Sequence, residues 1–191
     1  MKLLAPLAAL GVLVGCVSAP PPEVRQADQA LAALALAPGA HVAELGVAGG
    51  YLTFRLADAL GPSGVVYAVG VDPAALARLR ERAASEGRAN VVAIEGAHDD
   101  PRLPDASVDL ALVVGSYARL ANRTSYFERV KHALRPGGRV AIVEITEPEL
   151  FVPAPTPAEA IENQLAAAGF ALAERRALLE RRTLLLFTPS P

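Results

Sequence analysis

Short, almost wholly apolar runs alternate with amphipathic stretches along most of the chain. Continuous apolar runs of this length are typical of strands that helices cover on both faces. They predict five strands, at residues 41–45, 65–71, 91–95, 108–114 and 139–145. The amphipathic stretches carry apolar residues at helical spacing, and glycine or proline closely follows each one. They predict helices at residues 25–36, 51–60, 73–86 and 122–134.

The last part of the chain departs from this alternation. Thr156, Pro157 and Glu159 have the form of a capping box with proline at the first helical position, which predicts a helix that Gly169 ends. The segment 96–105 is too short and too broken by proline to form a crossover helix. Two final strands are predicted as an antiparallel pair at the sheet edge, at residues 170–176 and 183–187.

This order of elements predicts the fold class. Strand and helix alternate five times, so we expect an α/β fold with one Rossmann-like, doubly wound, mostly parallel sheet. The sheet should have about seven strands, with the last pair antiparallel. The 191 residues suffice for one domain with a buried core, and the hydrophobic content of 52% suits buried strands. Ligands of such sheets bind at the carboxyl ends of the strands.

The N-terminal residues carry a different pattern. Met1 and Lys2 precede an apolar run at 3–14 that is too short to span a bilayer, so residues 1–15 are interpreted as a signal peptide. The run ends in Leu-Val-Gly-Cys, which resembles a bacterial lipobox with Cys16 as the lipidated residue. The alternative is a buried Cys16 thiol in an N-terminal helix. The domain boundaries that follow are a proline-rich tether at 16–24 and the folded domain at 25–191.

Lipidation of Cys16 predicts where the protein resides and what it contacts. The expected location is the bacterial cell envelope, anchored in a membrane and facing the periplasm. Val17 stands where an aspartate retains some lipoproteins at the inner membrane, which favours the outer membrane. The net charge of −2 and the lack of a long basic run argue against nucleic-acid binding. The expected partners are the membrane and an unknown small molecule or envelope protein.

Residues 42–50, Val-Ala-Glu-Leu-Gly-Val-Ala-Gly-Gly, join a predicted strand to a helix through a glycine turn. Glycine suits such a turn because the backbone approaches a ligand closely and often adopts positive φ. Glu44 lies near the end of the strand, and Gly46 and Gly50 frame the turn. Ala48 occupies the place where a third glycine is expected.

Four phrases give the chain a family resemblance. They are Gly-Pro-Ser-Gly-Val-Val-Tyr-Ala-Val at 61–69, Leu-Pro-Asp-Ala-Ser-Val-Asp-Leu at 103–110, Leu-Arg-Pro-Gly-Gly-Arg-Val-Ala-Ile-Val-Glu at 134–144 and Ala-Ala-Gly-Phe at 167–170. With the glycine turn, they resemble class I S-adenosylmethionine-dependent methyltransferases, and in particular an exported subgroup. The resemblance covers about three quarters of the chain. It implies S-adenosylmethionine as the cofactor.

The positions that hold the cofactor in that family differ here. The acid that accepts the ribose hydroxyls corresponds to Gly70, and the acid that faces the adenine amine corresponds to Ala97. A Tyr-His-His-Leu phrase of the subgroup is Tyr-Ala-Arg-Leu at 117–120. The resemblance therefore implies a degenerate site. Its candidate cofactor-binding residues are Glu44, Gly46, Ala48, Gly50, Asp72, Ala97, His98 and Ser116.

Several of these candidates have a structural alternative. Asp72 projects toward the ribose if the strand continues past Gly70, or it only caps the helix opened by Pro73. His98 with the two following aspartates forms a polar loop, and adjacent loop residues rarely converge on a metal, so no metal site is predicted. No catalytic residue is identified. The weak candidate is Tyr117, as a general base or an acceptor-orienting group, and its alternative is packing.

Two main interpretations of function remain open at this point, and a minor third one is that the crevice binds a different nucleotide. In the first, the protein is an active methyltransferase that acts on a small or lipid-like acceptor at the envelope. In the second, it is an envelope lipoprotein that keeps the methyltransferase scaffold but binds the cofactor weakly and has little or no catalytic activity. The second is favoured because the departures fall on the binding face while the scaffold phrases are kept.

Overall fold

A seven-stranded sheet runs through the centre of the fold. The computed structural model describes residues 21–47, 49–146, 155–178 and 181–191. The strands are β1 (His41–Leu45), β2 (Val65–Gly70), β3 (Val91–Glu95), β4 (Val108–Val114), β5 (Leu134–Ile145), β6 (Phe170–Ala177) and β7 (Arg182–Pro189). The helices are α1 (Pro22–Leu34), α2 (Tyr51–Leu60), α3 (Pro73–Ser85), α4 (Arg123–Ala133) and α5 (Ala158–Ala167).

The strand order is β3-β2-β1-β4-β5-β7-β6. The first five strands pair in parallel, and β7 pairs antiparallel with both β5 and β6. The predicted doubly wound α/β fold with an antiparallel last pair is therefore confirmed. The chain direction across the sheet reverses between β1 and β4, and this switch point leaves a crevice at their carboxyl ends.

Helices cover both faces of the sheet. Alternate residues of a strand point to opposite faces, so Val42 of β1 packs with α1 and α2 while Leu45 joins the layer of α4 and α5. The helix α3 extends the first layer by packing Leu76 and Leu79 against Phe54. Burial on both faces explains why the parallel strands are continuous apolar runs.

The predicted bounds of two elements, the first helix and the fifth strand, are wrong. The helix α1 begins at Pro22, inside the segment assigned to the tether, and ends at Leu34 because Ala35 adopts a left-handed φ of 44°. The strand β5 begins at Leu134 and not at 139, so the Pro-Gly-Gly sequence lies within it, at an irregularity in the pairing with β4. A Cβ on Gly138 would lie 2.8 Å from the Arg135 carbonyl oxygen, which explains glycine there.

The predicted capping box is also wrong. Pro157 occupies the N-cap position of α5, and no side chain forms a cap hydrogen bond. The helix nevertheless ends before Gly169 as expected, and residues 96–107 contain no crossover helix, only an isolated bridge between Ala97 and Asp100.

The N-terminal predictions lie largely outside the described residues. The predicted signal peptide at 1–15 and the lipidation site Cys16 are not among the ranges that the structure describes. Within those ranges, no helix combines the length and the apolar character that a bilayer span requires.

Candidate functional site

The turn after β1 is tied to the end of β2. The backbone N–H groups of Gly46 and Val47 both donate to the Val69 carbonyl oxygen at 2.9 Å. Gly46 has a φ of +96°, and a Cβ added there would lie 2.6 Å from both Cβ and Oγ of Ser116. Ser116 is fixed in turn because its hydroxyl donates to the Leu45 carbonyl oxygen at 2.7 Å. Glycine is therefore required at position 46, both for its φ and for the close approach of the turn to the segment after β4.

Gly50 ends the same turn at the N-cap of α2. Its φ is +76°, and an added Cβ would lie 2.8 Å from Cδ1 of Leu79. The two glycines that frame the predicted turn thus both occupy conformations that favour glycine. Ala48, the third candidate of this turn, lies outside the described residues.

Glu44 is a buried acid beside this turn. Its residue exposure is 7%, and the Thr53 hydroxyl of α2 donates to its Oε2 at 2.5 Å. Burial raises the pKa of Glu44 to about 7, and the hydrogen bond from Thr53 opposes that rise. The carboxyl group is therefore partly protonated at neutral pH and is oriented by α2.

Two cavities meet above the turn. The first has a volume of about 280 Å³ and lies over the ends of β1 and β2, whereas the second has about 230 Å³ and reaches toward α1 and α2. Gly46 and Arg119 line both. The first is lined by Gly46, Val47, Val69, Gly70, Val71, Ala97, His98, Ser116, Arg119, Leu120 and Tyr126. The second is lined by Ala27, Glu44, Gly46, Gly49, Gly50, Tyr51, Leu52, Val114, Gly115 and Arg119.

The first cavity has no carboxylate among its described lining residues. Gly70 is buried at the end of β2, and a Cβ added there would lie 3.2 Å from Cδ2 of Leu76. Ala97 follows β3 in a tight turn, in which its N–H donates to the Asp100 carbonyl oxygen at 2.7 Å. Both positions at which the resemblance places an acid therefore face the cavity with no polar side chain.

Asp72 caps a helix and lines neither cavity. The strand β2 ends at Gly70, two residues before Asp72, and Asp72 is not among the residues that line the two cavities. Its side chain accepts a hydrogen bond from the Ala74 N–H at 2.9 Å at the start of α3, and the residue is exposed. The structure shows the capping alternative at this position.

His98 connects the loop after β3 to the segment after β4. Its Nδ1 lies 3.2 Å from the Arg119 carbonyl oxygen, and its own carbonyl oxygen accepts from the Ala121 N–H at 2.8 Å. Asp100 accepts a hydrogen bond from the Arg102 N–H. In the part of the chain that the structure describes, no group of three His, Cys, Asp or Glu residues is placed to hold a metal ion.

Tyr117 is fully buried and its hydroxyl is already bonded. The hydroxyl donates to Oε1 of Gln164 at 2.6 Å, and the ring stacks on Phe127 with centroids 5.9 Å apart. Burial raises the pKa of Tyr117 to about 12, although the Arg123 guanidinium 4.8 Å from the ring centroid opposes the shift. Tyr117 lines neither cavity, and this geometry matches the packing alternative.

Arg119 and Glu144 were not predicted as site residues. One Nη of Arg119 donates to the Gly115 carbonyl oxygen at 3.3 Å, and the other lies 4.0 Å from the place that a Cβ on Gly46 would take. Glu144, at the end of β5, accepts the Tyr117 N–H at 2.6 Å, and burial raises its pKa. The sequence signal that could have identified Arg119 was the arginine in the Tyr-Ala-Arg-Leu phrase. Glu144 gave no such signal, because only the pairing of β5 with β4 brings it close to Tyr117.

Comparison with known proteins adds family information to this geometry. The sequence pattern of the family described as "Methyltransferase domain" matches residues 43–140, just over half of the chain. The arsenite methyltransferase of Halobacterium salinarum is 31% identical over 117 residues, which cover 61% of this chain and 30% of that protein. The fibrillarin-like rRNA/tRNA 2′-O-methyltransferase of Pyrobaculum neutrophilum is 31% identical over 111 residues, covering 55% and 45%. The matched part is less than half the length of either relative.

Solved structures share the fold at lower identity. A SAM-dependent methyltransferase from Aquifex aeolicus has a TM-score of 0.76 at 21% identity, covering 84% of this chain and 88% of that one. The [4+2]-cyclase SpnF has a TM-score of 0.74 at 15% identity, covering 87% and 81%. Because SpnF is named for a cyclisation, the fold alone does not assign methyl transfer.

The glycine turn of the crevice is suited to hold the cofactor of this family, S-adenosylmethionine, and this turn is called the cradle. Gly46 and Gly50 give the turn the close backbone geometry that such a cradle needs, and the two joined cavities provide the space. The matched region 43–140 contains this turn, Glu44 and the segment after β4. The chain belongs to the class I S-adenosylmethionine-dependent methyltransferase family.

Proposed function

We propose that this protein is an envelope-anchored lipoprotein whose methyltransferase domain binds S-adenosylmethionine weakly and has little or no catalytic activity. One observation supports this proposal above the others. The described residues that line the first cavity include no carboxylate, and Gly70 and Ala97 occupy the two positions at which the family has one. The glycine turn is kept. At the two positions where an acid would bind the nucleoside, the side chain is only a hydrogen atom (Gly70) or a methyl group (Ala97).

The expected loss of affinity follows from hydrogen-bond energies. A hydrogen bond to a charged group contributes about 1.5 to 3 kcal/mol. Without the ribose and adenine acids, binding should lose about 3 to 5 kcal/mol, which is roughly a hundred- to a thousandfold in affinity. Such a loss weakens the binding of the cofactor but does not abolish it.

Two titratable side chains near the crevice, Glu44 and Tyr117, are held by hydrogen bonds. Glu44 is buried and held by Thr53, and the Tyr117 hydroxyl is held by Gln164. Tyr117 lines neither cavity, whereas Glu44, which the Thr53 hydroxyl bonds at Oε2, lines the second cavity and His98 lines the first. Proton acceptors therefore remain near the crevice, but methyl transfer depends mainly on positioning and does not require a base, so they do not by themselves indicate activity.

The second candidate is an active methyltransferase for a small or lipid-like acceptor. The cavity above Gly46 is open and adjoins a second one, so space remains for a donor and an acceptor. When bound, S-adenosylmethionine supplies a methyl group that an acceptor takes in a single displacement. The role of this chain would then be to align the two molecules.

Titration with S-adenosylhomocysteine separates these two candidates. The full chain carrying Cys16→Ser removes the proposed acylation site and leaves the crevice unchanged. The degenerate site should show no saturable binding at micromolar ligand. A micromolar dissociation constant would overturn the proposal, because it would show that the missing carboxylates at positions 70 and 97 of the first cavity do not limit binding.

The anchoring part of the proposal rests on the sequence before the described residues. Two or more acyl signals hold a protein stably at a membrane, since each buried methylene adds about 0.8 kcal/mol. Attachment through Cys16 would place the domain at the periplasmic side of the envelope, with the outer membrane favoured by Val17. Its partners would be the membrane and a small molecule or an envelope protein.

Replacing Cys16 with serine should abolish incorporation of radiolabelled fatty acid in cells, because the chain has no other cysteine to acylate. The measurement is fluorography of the immunoprecipitated protein after growth with labelled palmitate. Ser18→Ala, two residues away in the tether, serves as the control and should remain labelled. Equal labelling of the Cys16→Ser protein would remove the lipoprotein proposal.

A further inference from the structure

We infer that the crevice binds a small carboxylic acid with an apolar body, and that Arg119 is the residue that holds the carboxylate. The inference rests on the proposed function, because it assigns a ligand to a crevice that has lost its acids for the nucleoside. It names a chemical class that the family relationship does not supply. Three features of the described residues support it: the apolar wall, the charge and the size of the first cavity.

The wall of the first cavity is largely apolar. Val47, Val69, Leu120 and the ring of Tyr126 contribute to it, and Val71 lies at its edge. Val71 is 47% exposed, which is unusual for a large apolar side chain beside a cavity. An apolar ligand body would remove that surface from water, which favours binding. The wall therefore favours an alkyl or aryl group over a polar sugar.

The charge at the first cavity is positive. Arg119 is the one residue with a permanent charge among the described lining of the first cavity. A guanidinium has five N–H donors, and the Gly115 carbonyl oxygen accepts from one Nη of Arg119. Among the described residues no carboxylate lies within ion-pair distance of it, although the charge of Arg119 interacts with the Glu144 carboxylate and lowers the pKa of that group. The planar fork of donors matches a carboxylate in a bidentate geometry.

The segment that carries Arg119 is held in place from the neighbouring strand. The Glu144 carboxylate accepts the Tyr117 N–H at 2.6 Å and also a backbone hydrogen bond from Ser116. Ser116 is bonded to β1 through its hydroxyl. The backbone of the short helical turn Tyr117–Arg119 is therefore fixed at its start, and the Arg119 side chain extends from it as an exposed group.

The size of the cavity limits the ligand to a small molecule. A volume of about 280 Å³ is at the lower limit of the roughly 300 to 1,000 Å³ of small-molecule sites. At about 30 Å³ for each water-sized group, it accommodates on the order of nine heavy atoms. Octanoate is a carboxylate of about this size. Octanol and octylammonium have the same chain with a neutral and a cationic head group.

Calorimetric titration with these three compounds tests the inference on the full chain carrying Cys16→Ser. We expect octanoate to bind, and octanol and octylammonium to bind at least tenfold more weakly. In the same background, Arg119→Gln should weaken octanoate binding by about 10- to 100-fold, since it removes a charged hydrogen bond. Arg119→Lys keeps the charge without the planar fork and should lose less. Arg78→Gln, at an exposed arginine of α3 outside both cavities, is the matched control and should bind as the parent does.

Every variant contains residues 1–15, so binding of octanoate to the apolar run at 3–14 cannot produce a difference in affinity between the variants. A second variant, Val71→Asp, places a negative charge at the exposed edge of the cavity and should also weaken octanoate. Equal affinity for octanoate and octanol, or an Arg119→Gln protein that folds and binds octanoate normally, would overturn the inference. Failure of octanoate to bind would overturn it as well and would leave the proposed loss of nucleoside affinity intact. Micromolar binding of S-adenosylhomocysteine, measured separately, overturns the proposed function instead.

Discussion

Replacing Gly70 with aspartate is expected to strengthen the binding of S-adenosylhomocysteine by about 10- to 100-fold, because it restores one charged acceptor for the ribose. Gly70 is buried at the end of β2 and lines the first cavity. It is not among the positive-φ residues, so a side chain is compatible with the backbone. The nearest atom to an added Cβ is Cδ2 of Leu76 at 3.2 Å, the far end of a flexible side chain. Calorimetric titration of the variant and the parent measures the gain.

Two variants at the same position separate charge from shape. Gly70→Ala adds the Cβ without the carboxylate and should gain no affinity. Gly70→Asn adds a neutral group of similar size and should gain less than aspartate. A folded Gly70→Asp protein that binds the ligand no better than Gly70→Ala would contradict the account, because the missing acid would then not limit binding.

Replacing Glu44 with glutamine is expected to remove a pH dependence from the free energy of unfolding. The folded protein keeps the Glu44 proton up to a pKa of about 7, whereas the unfolded chain releases it near the ordinary value of 4.5. Between these values the folded state binds more protons than the unfolded state, so stability falls as pH rises and levels off above about 7. At about 1.36 kcal/mol per pH unit, the loss from this one group is roughly 3 kcal/mol.

Urea unfolding of both proteins from about pH 4 to about pH 8 measures this effect as a difference. Glutamine has no titrating group, so the Glu44→Gln protein should gain stability relative to the parent as pH rises. Thr53→Val is the control, because loss of its hydrogen bond should raise the pKa of Glu44 further and extend the pH window upward. Parallel stability curves for the parent and Glu44→Gln would show that Glu44 does not titrate in this range.

The fold was predictable because its signals are local and repeated. Continuous apolar runs mark strands that are covered on both faces, and β1, β3 and β4 have the predicted bounds. The errors occur where tertiary contacts override local patterns. Pro-Gly-Gly at 136–138 lies within β5 because that strand continues beside β4 through an irregular pairing. The motif at Thr156 failed because Pro157 took the cap position in place of a hydrogen-bonding side chain.

The candidate site was predictable only in part. Gly46 and Gly50 follow from turn chemistry, and both lie in the positive-φ region. Thr53 was not predicted, because its contact with Glu44 depends on how α2 packs on β1. Arg119 was visible only as a departure from a family phrase, and its position over Gly46 depends on the turn after β4. Side chains contributed by separate elements require the folded structure to be identified.

Calorimetric titration of the protein with S-adenosylhomocysteine tests the central claim most directly. The claim is that the methyltransferase scaffold persists while the groups that bind the nucleoside are lost. The account predicts no saturation at micromolar ligand for the unchanged crevice, with Gly70→Asp as the positive control in the same experiment. A micromolar dissociation constant for the unchanged crevice would contradict it.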